Sequence, residues 1–175
     1  ISQAAPTSTN GVAERYVLLD AARTAAIQTG DTALTRSAVD FLNQSFDLDA
    51  NKLSLDAATQ LLAAKDADAA AIADWVLEIG ERALREGHTD VSARAATQAN
   101  APVGRIKDRA TATASRDRML MLRNETVSRE RFNAAVARLE RSPDDAATNH
   151  EVGIYLATRR DDWATALKHL AKSSN

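Results

Sequence analysis

The sequence predicts an all-α fold built from antiparallel helical hairpins, and three observations carry that expectation. Only 4% of the 175 residues are aromatic while alanine recurs throughout, so the core must come from many small contacts between closely approaching helices. Three prolines and six glycines leave few interruptions to helix. Apolar residues recur at helical spacing, and nowhere does an apolar/polar alternation persist between turn signals as a strand requires.

Residues 1–9 are small and polar with Pro6, and read as a disordered lead-in to a single domain over 10–175. Asn10 is placed to cap a first helix whose apolar face is Val12, Tyr16, Leu19, Ala22 and Ala26. Gly30 stops that helix and Asp31 starts the second, with Leu34, Ala38, Phe41 and Leu42 expected inward. Asp49 caps the third, which buries Leu55, Ala58, Leu61 and Leu62. After a turn at 65–68, a fourth helix runs to Glu86 with Ile72, Trp75, Val76, Ile79 and Ala83 inward, and Gly87 ends it. A short fifth helix holds Val91, Ala95 and Ala99. Pro102 suits the first turn of a sixth helix, and with no Pro or Gly between Arg105 and Ser142 this helix is expected to run near 102–141, the alternative being a break near Asn124 with Ser128 capping a second segment. Pro143-Asp144-Asp145 stops the chain and restarts it as a seventh helix over 146–159, and an eighth covers 162–172. That makes about eight helices.

Two stretches share more than helical periodicity. One is Trp75 to Gly80, then Gly87, then Ala93, Ala96 and Ala99; the other is Val152-Gly153, then Asp161-Asp162-Trp163, then Ala166, Leu167 and Leu170. Each sets a large apolar residue just before a glycine, follows it with a tight turn, and then supplies small residues, as two helices crossing closely require. In this the chain resembles the tetratricopeptide repeat, a helix–turn–helix unit of about 34 residues. The unit from Pro143 onward is the closer match, departing by one extra residue near Arg159-Arg160. The unit around Gly80 lacks the closing proline, and the hairpin at Gly30 has Arg23 where a small residue is expected. The resemblance implies a degenerate array, its hairpins stacked in a right-handed sense. Trp75 and Trp163 then fall at packing positions.

Residues 15–31, the Phe46-Asp-Leu-Asp-Ala50 segment and the closing unit together look like a helical domain that recurs in large, multidomain, exported bacterial proteins. That resemblance implies a fragment of a longer polypeptide with an exported, periplasmic or extracellular setting. The first residue, Ile1 rather than Met, fits the same expectation of a fragment or processed form.

Several chemistries find no support. There is no cysteine, which removes disulfides and thiolate metal sites. His88, His150 and His169 lack a ligand pattern, although His150 and His169 fall on paired helices. Asp47-x-Asp49-x-Asn51 opens like a calcium loop, but Lys52 and Ala58 stand where glycine and glutamate belong. Phosphate-binding glycine loops and the serine nucleophile elbow are missing. No cofactor, no metal and no catalytic group is expected, and no apolar run approaches the roughly 18–20 residues that span a bilayer.

Charge is uneven. Residues 1–100 carry net −6, residues 101–142 net +5 and residues 143–175 net −1. The basic stretch 105–141 could follow phosphates, yet its arginines fall around the whole helix among Asp108, Asp117, Glu125, Glu130 and Glu140, with Phe132 its one aromatic. Pairing with acids of the same helix, or with the acidic N-terminal hundred residues, explains it equally well. The leading expectation is therefore a non-catalytic protein-interaction or scaffold module, with a rigid spacer as the alternative and nucleic-acid binding as a third. Carrying the repeat pattern over residue by residue puts the groove positions at Asp74, Glu81 and Arg85 and at His150, Ile154 and Thr158. The expected partner is a polar peptide or a neighbouring domain of the same chain.

Overall fold

The computed structural model describes residues 9–173, and the expected lead-in over 1–9 lies outside them except for Thr9. Among the described residues there are nine helices and no strand: α1 (Thr9–Thr29), α2 (Thr32–Ser45), α3 (Ala50–Leu61), α4 (Ala69–Glu86), α5 (Thr89–Gln98), α6 (Asn100–Arg105), α7 (Arg109–Arg141), α8 (Ala146–Arg159) and α9 (Trp163–Ser173). Within the span 10–175 that the sequence presents as one domain, the chain gathers into two compact units, Ile1–Leu122 and Arg123–Asn175.

Most boundaries come from local chemistry. Asp31, Asp49, Asp68, Asp145 and Asp162 each accept hydrogen bonds at a helix start, from the N–H groups of Leu34, Lys52, Ala70 with Ala71, Thr148 and Thr165. These bonds satisfy donors that the first helical turn leaves open. Gly87 closes α4 in the left-handed region at φ +92°, and the next N–H, of His88, reaches back to Ala83 O at 2.8 Å. Asn10 lies inside α1 rather than ahead of it.

In the first unit α4 is the hub, packing against α3, α5 and α6. It is buried on more than one face, through Ile72, Ala73, Trp75, Val76, Leu77, Ile79, Gly80 and Ala83. Leu55, Leu61, Val39, Val103, Met119 and Leu122 close the core around it. Each of the larger aliphatic side chains contributes about 1.5–3 kcal/mol by leaving water. Gly80 marks the tightest approach, since a Cβ there would lie 2.9 Å from the Cβ of Ala95 and 2.6 Å from Leu122 Cδ2. Gly80 precedes the turn at Gly87 by about the distance that Ala95 follows it, so α4 and α5 run antiparallel.

In the second unit α8 and α9 form the corresponding hairpin. A Cβ at Gly153 would lie 2.7 Å from Leu170 Cγ and 3.2 Å from Ala166 O. The turn between them passes through Asp161 at φ +52°, a conformation that aspartate tolerates better than most side chains.

Four sequence expectations need correction. The long helix near 102–141 is two helices, because residues 106–108 interrupt it. Ile106 is extended and packs against the core, Arg105 Nη1 donates to Leu62 O at 2.6 Å, and Asp108 restarts the helix by accepting from the Thr111 N–H and hydroxyl. No second break occurs at Asn124, and α7 is continuous to Arg141.

The buried face of α2 is Thr32, Thr35, Val39 and Leu42, so Leu34 and Phe41 are exposed instead of inward. Thr35 is buried without penalty because its hydroxyl donates to Asp31 O. On α1 the buried residues are Ala26 and Ile27 near its C-terminal end, while Val12, Tyr16 and Ala22 are exposed.

The two tryptophans also part company. Trp75 is 5% exposed, whereas Trp163 is 55% exposed at the start of α9, where its Nε1 donates to Asp161 Oδ1.

Candidate functional site

The six groove positions expected from the sequence fall in different settings. Asp74 and Glu81 lie on α4 and both hold Arg118, from the α7 segment within the same unit. Arg118 Nε and Nη2 meet the two oxygens of Glu81 at 2.5 and 2.9 Å, and Nη1 meets Asp74. The Glu81 hydrogen bonds hold the guanidinium above its ordinary pKa against partial desolvation, with Asp74 adding to the effect. These two acids are thus engaged by the chain itself. Arg85 is exposed on the last turn of α4 and does not join them.

His150, Ile154 and Thr158 share one exposed face of α8, four residues apart. Ile154 and Thr158 line a cleft of about 320 Å³ between α8 and the second half of α7, and His150 stands outside it. From α7 the cleft receives Ser128, Arg131 and Phe132. From α8 it also receives Tyr155, whose ring stacks on Phe132 with centroids 4.4 Å apart and planes at 21°. The Arg129 guanidinium stands 5.7 Å from the Phe132 centroid, within reach of a cation–π contact.

Two ion pairs tie α7 to α8 along this cleft. Arg138 meets Glu151 at 2.5 Å, and Arg159 meets Glu125 at 2.6 Å. Glu151 and Arg159 are therefore neutralised where they border the cleft. Arg131 is exposed and has no acidic partner among the described residues. The arrangement offers an aromatic shelf, an aliphatic side chain, three hydroxyls (Ser128, Tyr155 and Thr158) and one unneutralised cation. Such a surface can hold a side chain and orient a short segment, but it presents no paired acid and base for catalysis.

Phe132 was visible in the sequence as the lone aromatic of a basic helix. Arg131 stood in the sequence as one arginine of the basic stretch 105–141, and the available signal for Tyr155 was its position next to Ile154. The cations of the basic stretch are partly spent within the fold, with Arg105, Arg118 and Arg138 all holding acceptors.

The histidines do not converge. His169 donates through Nδ1 to Asn149 Oδ1 at 2.8 Å, and the buried Asn149 in turn donates to Pro143 O and Asp145 O. The calcium-like segment is used otherwise, with Asp49 capping α3 and Asn51 Oδ1 accepting from Arg82. Among the described residues no group of three or more His, Asp or Glu side chains is placed to hold a metal ion. No helix among them is long and apolar enough to cross a membrane. Protein-family models, curated proteins and solved structures were all compared with the chain, and none matches it.

Proposed function

We propose that this chain is a non-catalytic protein-interaction module that docks an extended peptide segment in the cleft between α7 and α8. The observation that carries the proposal is the Phe132–Tyr155 stack opening onto exposed Ile154 and Thr158. Stacked rings give a rigid apolar shelf that loses little conformational entropy when a ligand covers it. That the exposed face of a first helix is the binding face is carried over from the resemblance of the sequence to the tetratricopeptide repeat, whose stacked units bind along such surfaces. In this reading the partner is a peptide or a neighbouring domain, and the chain is a piece of a larger multidomain protein.

The test is selection of linear peptides from a random phage-displayed library against the whole chain, followed by affinity measurement on two variants. Ile154→Asp and Phe132→Ala should each weaken the selected peptides about tenfold or more while far-ultraviolet circular dichroism stays helical. If no selected peptide responds to either change, the cleft is not the docking site.

A second reading is favoured by α7 itself. Its 33 residues without a break correspond to about 50 Å at 1.5 Å per residue, enough to act as a spacer. Small-angle scattering from a longer polypeptide that includes this chain should then show a fixed separation of the flanking modules, and a broad spread of separations would exclude the spacer.

A further inference from the structure

Building on the peptide-docking reading of the α7–α8 cleft, we infer that the docked segment is acidic, with a carboxylate meeting Arg131 beside an apolar side chain laid on the Phe132–Tyr155 shelf. The argument is a charge inventory of the cleft. Its own acid, Glu151, is held by Arg138, and its second cation, Arg159, is held by Glu125. These pairs cancel locally and leave Arg131 as the unbalanced charge of the lining, exposed and without an acidic partner among the described residues. Arg129 adds positive charge over Phe132, and Arg160 follows Arg159 as a further exposed cation. The nearest acid in sequence, Glu130, does not line the cleft, because successive residues of a helix point about 100° apart.

A basic segment would place its charges against Arg131 with nothing in the cleft free to receive them. An acidic one finds a planar guanidinium suited to gripping a carboxylate at both oxygens. The shelf beside it supplies the apolar contact that a surface ion pair needs, since an exposed pair alone contributes little. The recognition element is therefore a carboxylate one or two residues from a leucine-, methionine- or aromatic-type side chain.

The experiment uses the peptides recovered from the random library and their synthetic isosteres, in which every Glu is replaced by Gln and every Asp by Asn. The recovered pool should be enriched in acidic residues. Amide replacement should weaken binding by about three- to tenfold at low salt, with the difference shrinking once the Debye length falls to about 3 Å at 1 M salt. Arg131→Gln should erase the preference for acid over amide. Arg131 is exposed, so this variant should keep the parental melting temperature.

A neutral or basic pool overturns the inference but leaves the cleft as a docking site, provided Ile154→Asp still weakens binding. An acid preference that survives Arg131→Gln also overturns it. A library that yields no binder sensitive to the cleft variants removes the docking reading, and the inference falls with it.

Discussion

Arg118 grips both carboxylate oxygens of Glu81, at 2.5 and 2.9 Å, across 37 residues of chain. The pairing anchors α7 on the face of α4 that the repeat pattern nominates for a ligand. Glu81 is therefore part of the fold, and its neighbour by pattern, Arg85, is not. A thermal-melt double-mutant cycle between Arg118→Gln and Glu81→Gln should give a coupling of about 1 kcal/mol, as half-exposed pairs of good geometry do. Arg85→Gln should stay within about 0.5 kcal/mol of the parent. Equal effects of Glu81→Gln and Arg85→Gln would contradict this assignment.

Glycine substitutions should separate by what surrounds them. Gly80→Ala gains about 1 kcal/mol of helix propensity but drives a Cβ to 2.9 Å from the Cβ of Ala95, which is fixed to its backbone. Overpacking of that kind costs about 1–3 kcal/mol, so the net change should be destabilising by roughly 1 kcal/mol. Gly104→Ala meets no atom within 4 Å and should be neutral or stabilising. Chemical denaturation midpoints of the two variants, measured side by side, check the contrast. Stabilisation by Gly80→Ala would mean that the helices do not cross there.

The tryptophans give a spectroscopic check. In Trp163→Phe the remaining Trp75, 5% exposed, should emit toward the blue and resist iodide quenching. In Trp75→Phe the remaining Trp163, 55% exposed, should emit near the free-indole wavelength and quench readily. Trp75→Ala should cost about 3–5 kcal/mol as a buried large-to-small change. Trp163→Ala should cost little. A shielded Trp163 would show that something covers α9 in solution.

Acid should weaken particular helix starts. Asp108 and Asp162 lie below the usual carboxylate range, first through the Thr111 and Thr165 backbone N–H bonds and then through those threonine hydroxyls. Asp145 is lowered first by the Thr148 hydroxyl and then by its N–H. With the folded value depressed, the unfolded chain binds more protons on acidification. The stabilisation is therefore complete above about pH 4, where an unfolded aspartate is ionised, and is lost as pH falls through the lower folded values. Asn at all three positions keeps a capping oxygen without a titration. Melting temperatures of the triple Asn variant should fall less steeply below about pH 4 than those of the parent, and parallel curves would rule the caps out as the cause.

The three capped starts share one spacing, Asp108 to Thr111, Asp145 to Thr148 and Asp162 to Thr165, and it explains the missed break before α7. The absence of Pro and Gly argued for one helix, but an aspartate able to take two hydrogen bonds from a threonine three residues on is itself a start signal. The break was legible there and was outweighed.

Helix identity, most turns and the inward faces of α3, α4 and α5 could be read from residue order. Capping reaches only three residues and the left-handed turn at Gly87 needs none beyond its own hairpin, so the information sits where the structure forms. Which face of α2 turns inward, which tryptophan is covered, where Arg118 docks and how Phe132 meets Tyr155 belong to another class. Each depends on a segment elsewhere in the chain arriving at contact distance, from 23 residues away for the aromatic pair to 37 for the Arg118–Glu81 pair. Burial and charge pairing are properties of two surfaces together, so folding had to bring the second surface into place before they were decided.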